Sequence, residues 1–379
     1  MKKVLLFSRD PGGANTVIPL FEILKERGYN ADIFGKDTSL ERYKKFGLNG
    51  KNIMKFIGKL GLEEIKNFLS KTKPDFIITG TSANDFTEKF LWKAAEELKI
   101  PSFAILDQWL SYGIRFSRYG VSDLEEYLKK PIHEYLPTKI FVMDDYAKRE
   151  MHKTGIKSDR IVIGGQPYFD LLNEKKKKIT KSGIILFKKE LDISKSAFIV
   201  VFSSEPIEKA YGGKIKAIKN LGYTEKTILK ELIHSLKKIA KSKKIKLNLI
   251  IKIHPKENLS DFKGIARNNG DKSLRIKIIK NCDSWNLILA SDLVCGMVSM
   301  FLIESVLLNK KTLSIQIGLK KENPFILDRR NILKSVVKKK ELKTRLENLI
   351  KNNKSKKYNF KLVENSSIKI INYIEKNYA

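Results

Sequence analysis

The chain has 379 residues, of which 42% are hydrophobic and 9% aromatic, so it can bury the cores of two domains. No apolar run reaches the roughly 18 residues that a membrane-spanning helix needs, and the first apolar run stops at Arg9, too early for a signal peptide. We therefore expect a cytoplasmic protein. Cys282 and Cys295 lack the spacing of a metal site and are expected to pack as small buried side chains.

The formal net charge of +33 attracts polyanions in general. The lysines are spread over every segment, however, and no basic helix carries interleaved aromatic residues, so nucleic acid is not expected as a partner. The simplest interpretation is solvated surface charge. The alternative is attraction to a negatively charged substrate or to the anionic inner face of a membrane, where the protein would be peripheral.

The first half of the chain alternates short apolar runs with helical patterns. Strands are predicted at 2–9, 29–36, 75–82, 101–108, early in 139–155 and in 160–172, and helices at 15–28, 86–100 and late in 139–155. Such alternation is typical of a doubly wound parallel sheet. Residues 1–172 are therefore predicted to form one Rossmann-like α/β domain.

The pattern restarts after a lysine-rich, weakly patterned segment, 173–196, which we interpret as a linker. Strands are predicted at 197–206, 247–255 and 274–280, a helix at 227–241, and two helices and two strands within 285–316. Residues 197–340 are thus predicted to form a second Rossmann-like domain, and 341–379 a charged helical segment that can pack back on the first. Two such domains facing across a cleft would bind ligands between the carboxyl ends of their sheets.

The loop 9–15 lies between the first strand and the first helix. Gly12 and Gly13 let the backbone turn sharply and approach a ligand at the positive end of the helix, although simple chain reversal is an alternative. Asp10 is a candidate base that accepts a proton from a hydroxyl nucleophile, unless it only caps the helix.

The loop 106–116 follows another strand and carries a second candidate base, Asp107. The neighbouring Gln108 and Trp109 suit the hydroxyls and the apolar face of a sugar. Trp109 can equally cover the edge of the sheet.

His254 ends a buried strand, and Pro255 restricts its backbone to an extended geometry, so the imidazole is held at the strand mouth. Ser299 lies at the start of a helix, where its hydroxyl and free backbone amides form a phosphate cradle. Glu304, five residues on, is expected to accept ribose hydroxyls.

The motif "KIHP", followed about 45 residues later by "ASDLVCGMVSMFLIESVLLNKKTLSI", resembles the donor-binding half of GT-B-fold enzymes. Within these it is similar to His-Pro-motif polysaccharide enzymes, namely polysialyltransferases, bacterial sialyltransferases and CDP-glycerol glycerophosphotransferases. The "GGAN…PL" loop and "RIVIGGQPYFD" resemble the UDP-N-acetylglucosamine 2-epimerases. The serine motif here reads "VSM" instead of a Ser-Ser or Ser-Thr pair.

The resemblance implies a GT-B architecture with an acceptor-side first domain and a nucleotide-binding second domain. It implies that His254 contacts the nucleotide phosphate, that Ser299 assists it and that Glu304 takes the ribose. We expect a glycosyltransferase without a metal or cofactor, in which protein groups stabilise the leaving phosphate. The other donor-binding candidates are Lys252, Ser203 and Ser204.

The expected partners are a nucleotide-sugar donor and a glycan or lipid-linked acceptor, in cell-surface polysaccharide synthesis. The stereochemical outcome stays open, as does the choice between Asp10 and Asp107 as the base. Two alternatives also remain: a UDP-N-acetylglucosamine 2-epimerase-like enzyme, which needs several carboxylates around the sugar ring, and a non-catalytic protein that binds membrane surfaces or nucleic acid.

Overall fold

A computed structural model describes residues 1–193, 198–352 and 357–378. They form two compact units: Met1–Glu174 with Lys361–Ala379, called unit 1, and Lys175–Phe360, called unit 2. Each unit is built on one parallel sheet flanked by helices. The prediction of two Rossmann-like α/β domains is confirmed.

The sheet of unit 1 has seven parallel strands over the described residues, in the order β3-β2-β1-β4-β5-β6-β7. They are β1 Lys3–Ser8, β2 Asn30–Gly35, β3 Lys51–Asn52, β4 Phe76–Thr79, β5 Ser102–Ile105, β6 Lys139–Val142 and β7 Ile161–Ile163. The strand order reverses between β1 and β4, which is where open α/β sheets bind their ligands. The loops after β1, β4 and β5 therefore share one edge.

The helices of unit 1 cover both faces of this sheet. They are α1 Pro11–Glu26, α2 Thr38–Lys45, α3 Met54–Ile57, α4 Leu62–Thr72, α5 Thr87–Glu97, α6 Leu124–Lys129, α7 Asp145–Lys153 and α8 Pro167–Lys178, with 3-10 turns at Gly113–Phe116, Val121–Asp123 and Ser158–Arg160. Helix α1 starts with Pro11, whose fixed φ suits the first helical position, and buries Val17, Leu20 and Leu24 against the sheet. Helix α8 continues a few residues past the boundary of unit 1.

The sheet of unit 2 has five parallel strands over the described residues, in the order β10-β9-β8-β11-β12. They are β8 Phe198–Ser203, β9 Leu247–Lys252, β10 Leu274–Ile279, β11 Leu293–Gly296 and β12 Thr312–Ser314. The helices are α9 Lys181–Glu190, α10 Ile207–Ala210, α11 Lys214–Asn220, α12 Glu225–Lys243, α13 Ser260–Asn269, α14 Ser284–Ala290, α15 Met300–Leu307, α16 Ile326–Arg329 and α17 Lys339–Lys351. The order reverses between β8 and β11, so their loops mark the expected ligand edge.

The segment 173–196 is mostly helical and not weakly structured, because α8 ends at Lys178 and α9 begins at Lys181. Its last residues, 194–196, lie outside the described residues, as do 353–356 and 379 of the C-terminal segment. That segment is divided between the units. Leu342 and Leu346 of α17 lie in the core of unit 2, whereas Ile370 and Ile374 of α18 (Ser366–Tyr378) lie in the core of unit 1. No helix in the described ranges is long and apolar enough to cross a membrane.

Candidate functional site

The loops that follow β4 and β5 in unit 1 meet around a buried ion pair. Arg115 Nη1 donates to Asp107 Oδ1 at 2.8 Å, and only 5% and 11% of the two side chains are exposed. The same nitrogen donates to Thr81 Oγ1 at 2.7 Å and to the Thr81 carbonyl oxygen at 3.0 Å. Arg115 thereby fixes one oxygen of the candidate base and ties two loops together. Sequence reasoning missed Arg115, which lies eight residues beyond Asp107.

Gly12 and Gly13 lie in the first turn of α1, not in a loop as predicted, and they allow close approach of the neighbouring loops. A Cβ atom at Gly12 would lie 2.0 Å from Asp107 Oδ2, so the second oxygen of Asp107 rests against the β1–α1 turn. Gly13 packs on Gly80 in the same way, because a Cβ at Gly80 would lie 2.6 Å from the Gly13 Cα. The glycines therefore bring the β1, β4 and β5 loops together.

Asp10 precedes α1, but its side chain does not cap the helix. Its Oδ1 instead accepts from Arg9 Nη1 at 3.2 Å, and about a fifth of its side chain is exposed. Burial raises the pKa of Asp107, the nearby Arg115 guanidinium opposes that rise, and the Asp10 carboxylate adds to it. The two candidate bases thus lie close enough to influence each other.

Glu88, on the first turn of α5, is a third carboxyl group at this edge. It is 1% exposed, Oε1 accepts the Arg9 backbone N–H at 3.1 Å, and Oε2 has no hydrogen-bond partner among the described residues. Burial, with a smaller contribution from the negative charges of Asp10 and Asp85, raises its pKa to about 8. Asp85, just before α5, accepts the Thr87 N–H at 2.9 Å.

Trp109 is not available to stack on a sugar. It is 3% exposed, its Nε1 donates to Asp144 Oδ2 at 3.1 Å, and its ring stacks on Phe169 with 6.2 Å between centroids. The Trp109 ring is therefore packed inside unit 1 and presents no open face to a sugar, contrary to the sugar-face prediction. The neighbouring Gln108 is half-buried.

The polar loops of unit 2 are joined by Glu257. Its Oε1 accepts from Ser204 Oγ at 2.8 Å and its Oε2 accepts the His254 backbone N–H at 2.7 Å. The His254 Nδ1 accepts the Lys256 N–H at 3.1 Å. A neutral His254 ring therefore carries its proton on Nε2, which makes Nε2 a hydrogen-bond donor.

Ser203 and Lys252 lie opposite each other at the carboxyl ends of β8 and β9. The Lys252 ammonium lies 5.3 Å from the centre of the Phe301 ring, on α15. Four of the predicted donor-binding residues thus lie on two adjacent strand ends: Ser203, Ser204, Lys252 and His254.

Three backbone amides directly before α15, at Met297, Val298 and Ser299, already have an acceptor, so they are not free as the sequence leads one to expect. Oε1 of Glu205 accepts the N–H groups of Met297, Val298 and Ser299 at 3.2, 2.7 and 3.0 Å. A carboxylate of the chain itself is therefore bound by the loop that leads into the positive end of this helix. Burial raises the pKa of Glu205 to about 7, while the three N–H donors act in the opposite direction.

The last two predicted residues of unit 2, Ser299 and Glu304, belong to the start and the interior of α15. Ser299 is the residue before α15, and its buried Oγ has no hydrogen-bond partner among the described residues. Glu304 lies inside α15 and is 6% exposed. In the described ranges, no group of three His, Cys, Asp or Glu side chains is placed to hold a metal ion.

Solved structures resemble this chain over nearly its whole length. UDP-GlcNAc 2-epimerase from Neisseria meningitidis, bound to UDP-GlcNAc, has a TM-score of 0.67 at 16% identity, covering 99% of this chain and 100% of that one. The Methanocaldococcus jannaschii UDP-GlcNAc 2-epimerase, in complex with UDP-GlcNAc and UDP, has a TM-score of 0.68 at 16% identity, covering 99% of both chains. MurG from Acinetobacter baumannii has a TM-score of 0.54 at 10% identity, covering 99% of this chain and 100% of MurG.

These likenesses show the fold. It is a GT-B-like pair of Rossmann-like units, as expected from the sequence motifs. The three structures are of the epimerase and MurG kinds, not of the sialyltransferase kind. No protein-family model matches the chain, and no curated protein matches it in sequence.

Proposed function

We propose that the protein is an enzyme acting on a UDP-sugar, and that the activity supported best is epimerisation of UDP-N-acetylglucosamine at C2. The observation that carries this proposal is the cluster of Asp10, Glu88 and Asp107 at one edge of the sheet in unit 1. Epimerisation moves protons at a sugar carbon and needs positioned acid and base groups. The fold likeness to two UDP-GlcNAc 2-epimerases supports the same assignment.

The chemistry begins with loss of the C2 proton. The electron pair of the C2–H bond forms a double bond to C1, and the nucleoside diphosphate leaves with the pair of the C1–O bond. Return of a proton to the opposite face of C2, with readdition of the diphosphate or of water at C1, gives the inverted sugar. Carboxyl groups whose pKa values differ suit the separate roles of acid and base.

Within the cluster, Asp10 is the proposed proton-transfer residue, because its side chain is the more exposed of the two candidate bases. Asp107, held by Arg115, is the proposed second carboxylate facing the sugar. Glu88 is a positioning residue, since it is buried and holds the Arg9 backbone beside Asp10.

In unit 2, His254 and Lys252 are proposed to bind the diphosphate, because negative charge develops there as the C1–O bond breaks. The Nε2–H of His254 is a suitable donor, and the Lys252 ammonium supplies positive charge at the end of β9. Ser203 and Ser204 end the adjacent strand, and Glu304 keeps its proposed role towards the ribose.

The test uses the full chain and UDP-N-acetylglucosamine with no acceptor present. We expect consumption of the substrate, with either the 2-epimer or free UDP and the epimerised sugar as products, measured by anion-exchange chromatography and proton NMR. D10N and D107N should each lower kcat by roughly 100-fold or more. D159N, at an exposed carboxylate of unit 1, is the matched control and should be unchanged. No consumption of substrate would refute the proposal.

Glycosyl transfer in cell-surface glycan synthesis is the second candidate, favoured by the His-Pro motif at His254 and by the likeness to MurG. It predicts that the nucleotide sugar is stable alone and is consumed only when a glycan or lipid-linked acceptor is added. H254A should abolish turnover under either function. The dependence on an acceptor therefore decides between the two.

A further inference from the structure

Helix α9 of unit 2 carries an outward face that is both basic and apolar. Lys181, Ile185 and Lys189 lie at positions i, i+4 and i+8, so they form one row on the helix surface. Ile185 is 59% exposed and the adjacent Leu186 is 57% exposed. We call Lys181, Ile185, Leu186 and Lys189 the α9 face.

The contacts of α9 with the rest of unit 2 determine which of its side chains face solvent. Thr180 begins the helix, with its Oγ1 accepting the Gly183 N–H at 3.1 Å. Phe187 is buried on the opposite side, where α9 packs against α14. Because Phe187 points inward, Ile185 and Leu186 are held towards solvent.

The surrounding charge is strongly positive. Residues 175–190 contain seven lysines and a single acidic residue, Glu190. One of the seven, Lys175, pairs with Asp283 on unit 2. The lysine run at the end of α8 and the lysines of α9 therefore give this part of the chain a large positive charge.

We propose that the α9 face docks on an anionic lipid bilayer. An apolar pair flanked by lysines on a helix is the pattern that lies in the headgroup region, with the aliphatic side chains inserted and the ammonium groups on lipid phosphates. The net charge of +33 draws the whole chain towards such a surface. Nucleic acid fits the face less well, since Ile185 and Leu186 offer no aromatic ring for a base to stack on.

The experiment is flotation of the full chain with vesicles of phosphatidylcholine, alone or with 30% phosphatidylglycerol. We expect binding to the anionic vesicles only, weakening as salt is raised. The double variant I185S/L186S should bind at least tenfold more weakly. K181Q and K189Q should each weaken binding by roughly fivefold.

I215S is the matched control, because Ile215 of α11 is 85% exposed and also lies between lysines. It should bind vesicles as the unchanged chain does. All variants should keep their melting temperature and their turnover of soluble nucleotide sugar, so this test is independent of the proposed function. Absence of binding to anionic vesicles would overturn the proposal. Binding of I185S/L186S to anionic vesicles as tight as that of the unchanged chain would also overturn it. A loss of vesicle binding in I215S but not in I185S/L186S would do the same. Tighter binding to single-stranded DNA that the serine variants retain would also overturn it.

Discussion

Asp107 and Arg115 form an ion pair of 2.8 Å with both side chains almost completely buried. Removing one partner of a buried pair leaves an uncompensated charge, which typically costs about 3–5 kcal/mol. We therefore expect R115A to lower the free energy of unfolding by about 3–5 kcal/mol. Chemical denaturation measures this loss. D107N should lower the free energy of unfolding by less than R115A, because the amide oxygen of the asparagine can still accept a hydrogen bond from Arg115.

The matched control for this prediction is R118A. Arg118 pairs with Glu134 at the same 2.8 Å, but 60% of its side chain is exposed. A surface pair contributes about 0–1 kcal/mol. If R115A and R118A lose the same free energy of unfolding, burial of the Asp107–Arg115 pair does not make it more important for stability.

Gly12 should be required for activity more than for stability. A Cβ at this position would lie 2.0 Å from Asp107 Oδ2, so G12A must push the carboxylate away from its place. A displacement of about 1 Å in a catalytic group can cost on the order of 100-fold in rate. We expect G12A to lower kcat by about that factor in a chain that is still folded at the assay temperature, which its melting temperature checks.

G264A serves as the control for G12A. Gly264 lies in α13, and a Cβ there would meet no atom within 4 Å. It should leave kcat unchanged. If both alanine variants keep full activity, the placement of Asp107 against the β1–α1 turn has no role in turnover.

Glu88 should make the stability of unit 1 depend on pH. Its pKa is raised from an ordinary 4.5 to about 8, so between these values the folded state binds a proton that the unfolded state has lost. The stabilisation is complete below about pH 4.5 and disappears as the pH rises towards 8. The slope is about 1.4 kcal/mol per pH unit in that window.

E88Q removes the titrating group, so its unfolding free energy should change less steeply between pH 5 and 8 than that of the unchanged chain. Denaturation at four or five pH values measures this difference. E63Q, at an exposed glutamate on α4, should keep the original slope. Parallel curves for E88Q and the unchanged chain would mean that Glu88 is already charged near pH 5.

The Glu205 carboxylate should compete with phosphate groups for the amides of Met297, Val298 and Ser299. Its pKa of about 7 means that it becomes charged as the pH rises through neutrality. We expect the affinity for UDP to fall between pH 6 and 8, and E205Q to bind more tightly than the unchanged chain at pH 8. Isothermal titration calorimetry checks both expectations.

E341Q, at an exposed glutamate of α17, should bind UDP as the unchanged chain does. If E205Q binds UDP more weakly than the unchanged chain at every pH, Glu205 supports UDP binding. It would then organise the loop for the ligand and not compete with it.

The alternation of apolar strands and helices was readable from the sequence because buried parallel strands are short and almost wholly apolar. Residues directly after these strands were therefore found, including Asp10, Asp107 and His254. Helix α2 was not predicted, because it is highly charged and buries only Ser39 and Tyr43.

The partners of the site residues were harder to predict because they lie far away in sequence. Glu205 meets Val298 across 93 positions, and Arg9 meets Glu88 across 79. No local pattern encodes such a pairing. The sequence draws attention to Ser203 and Ser204, whereas the neighbouring Glu205 makes the contacts to the α15 start.

Trp109 shows a second reason why a site prediction made from the sequence can differ from the structure. A tryptophan beside a carboxylate and a carboxamide suits a sugar, but its direction depends on Asp144 and Phe169, which come from other strand ends. The side-chain direction after a strand is set by these tertiary contacts.

The most direct test of the central proposal is incubation of the full chain with UDP-N-acetylglucosamine in D₂O, with no acceptor, followed by proton NMR of the sugar. If the carboxylates of unit 1 remove and return the C2 proton, the product will carry deuterium at C2, and D10N will not incorporate it. Substrate that is recovered unchanged, with its proton still at C2, would contradict the account.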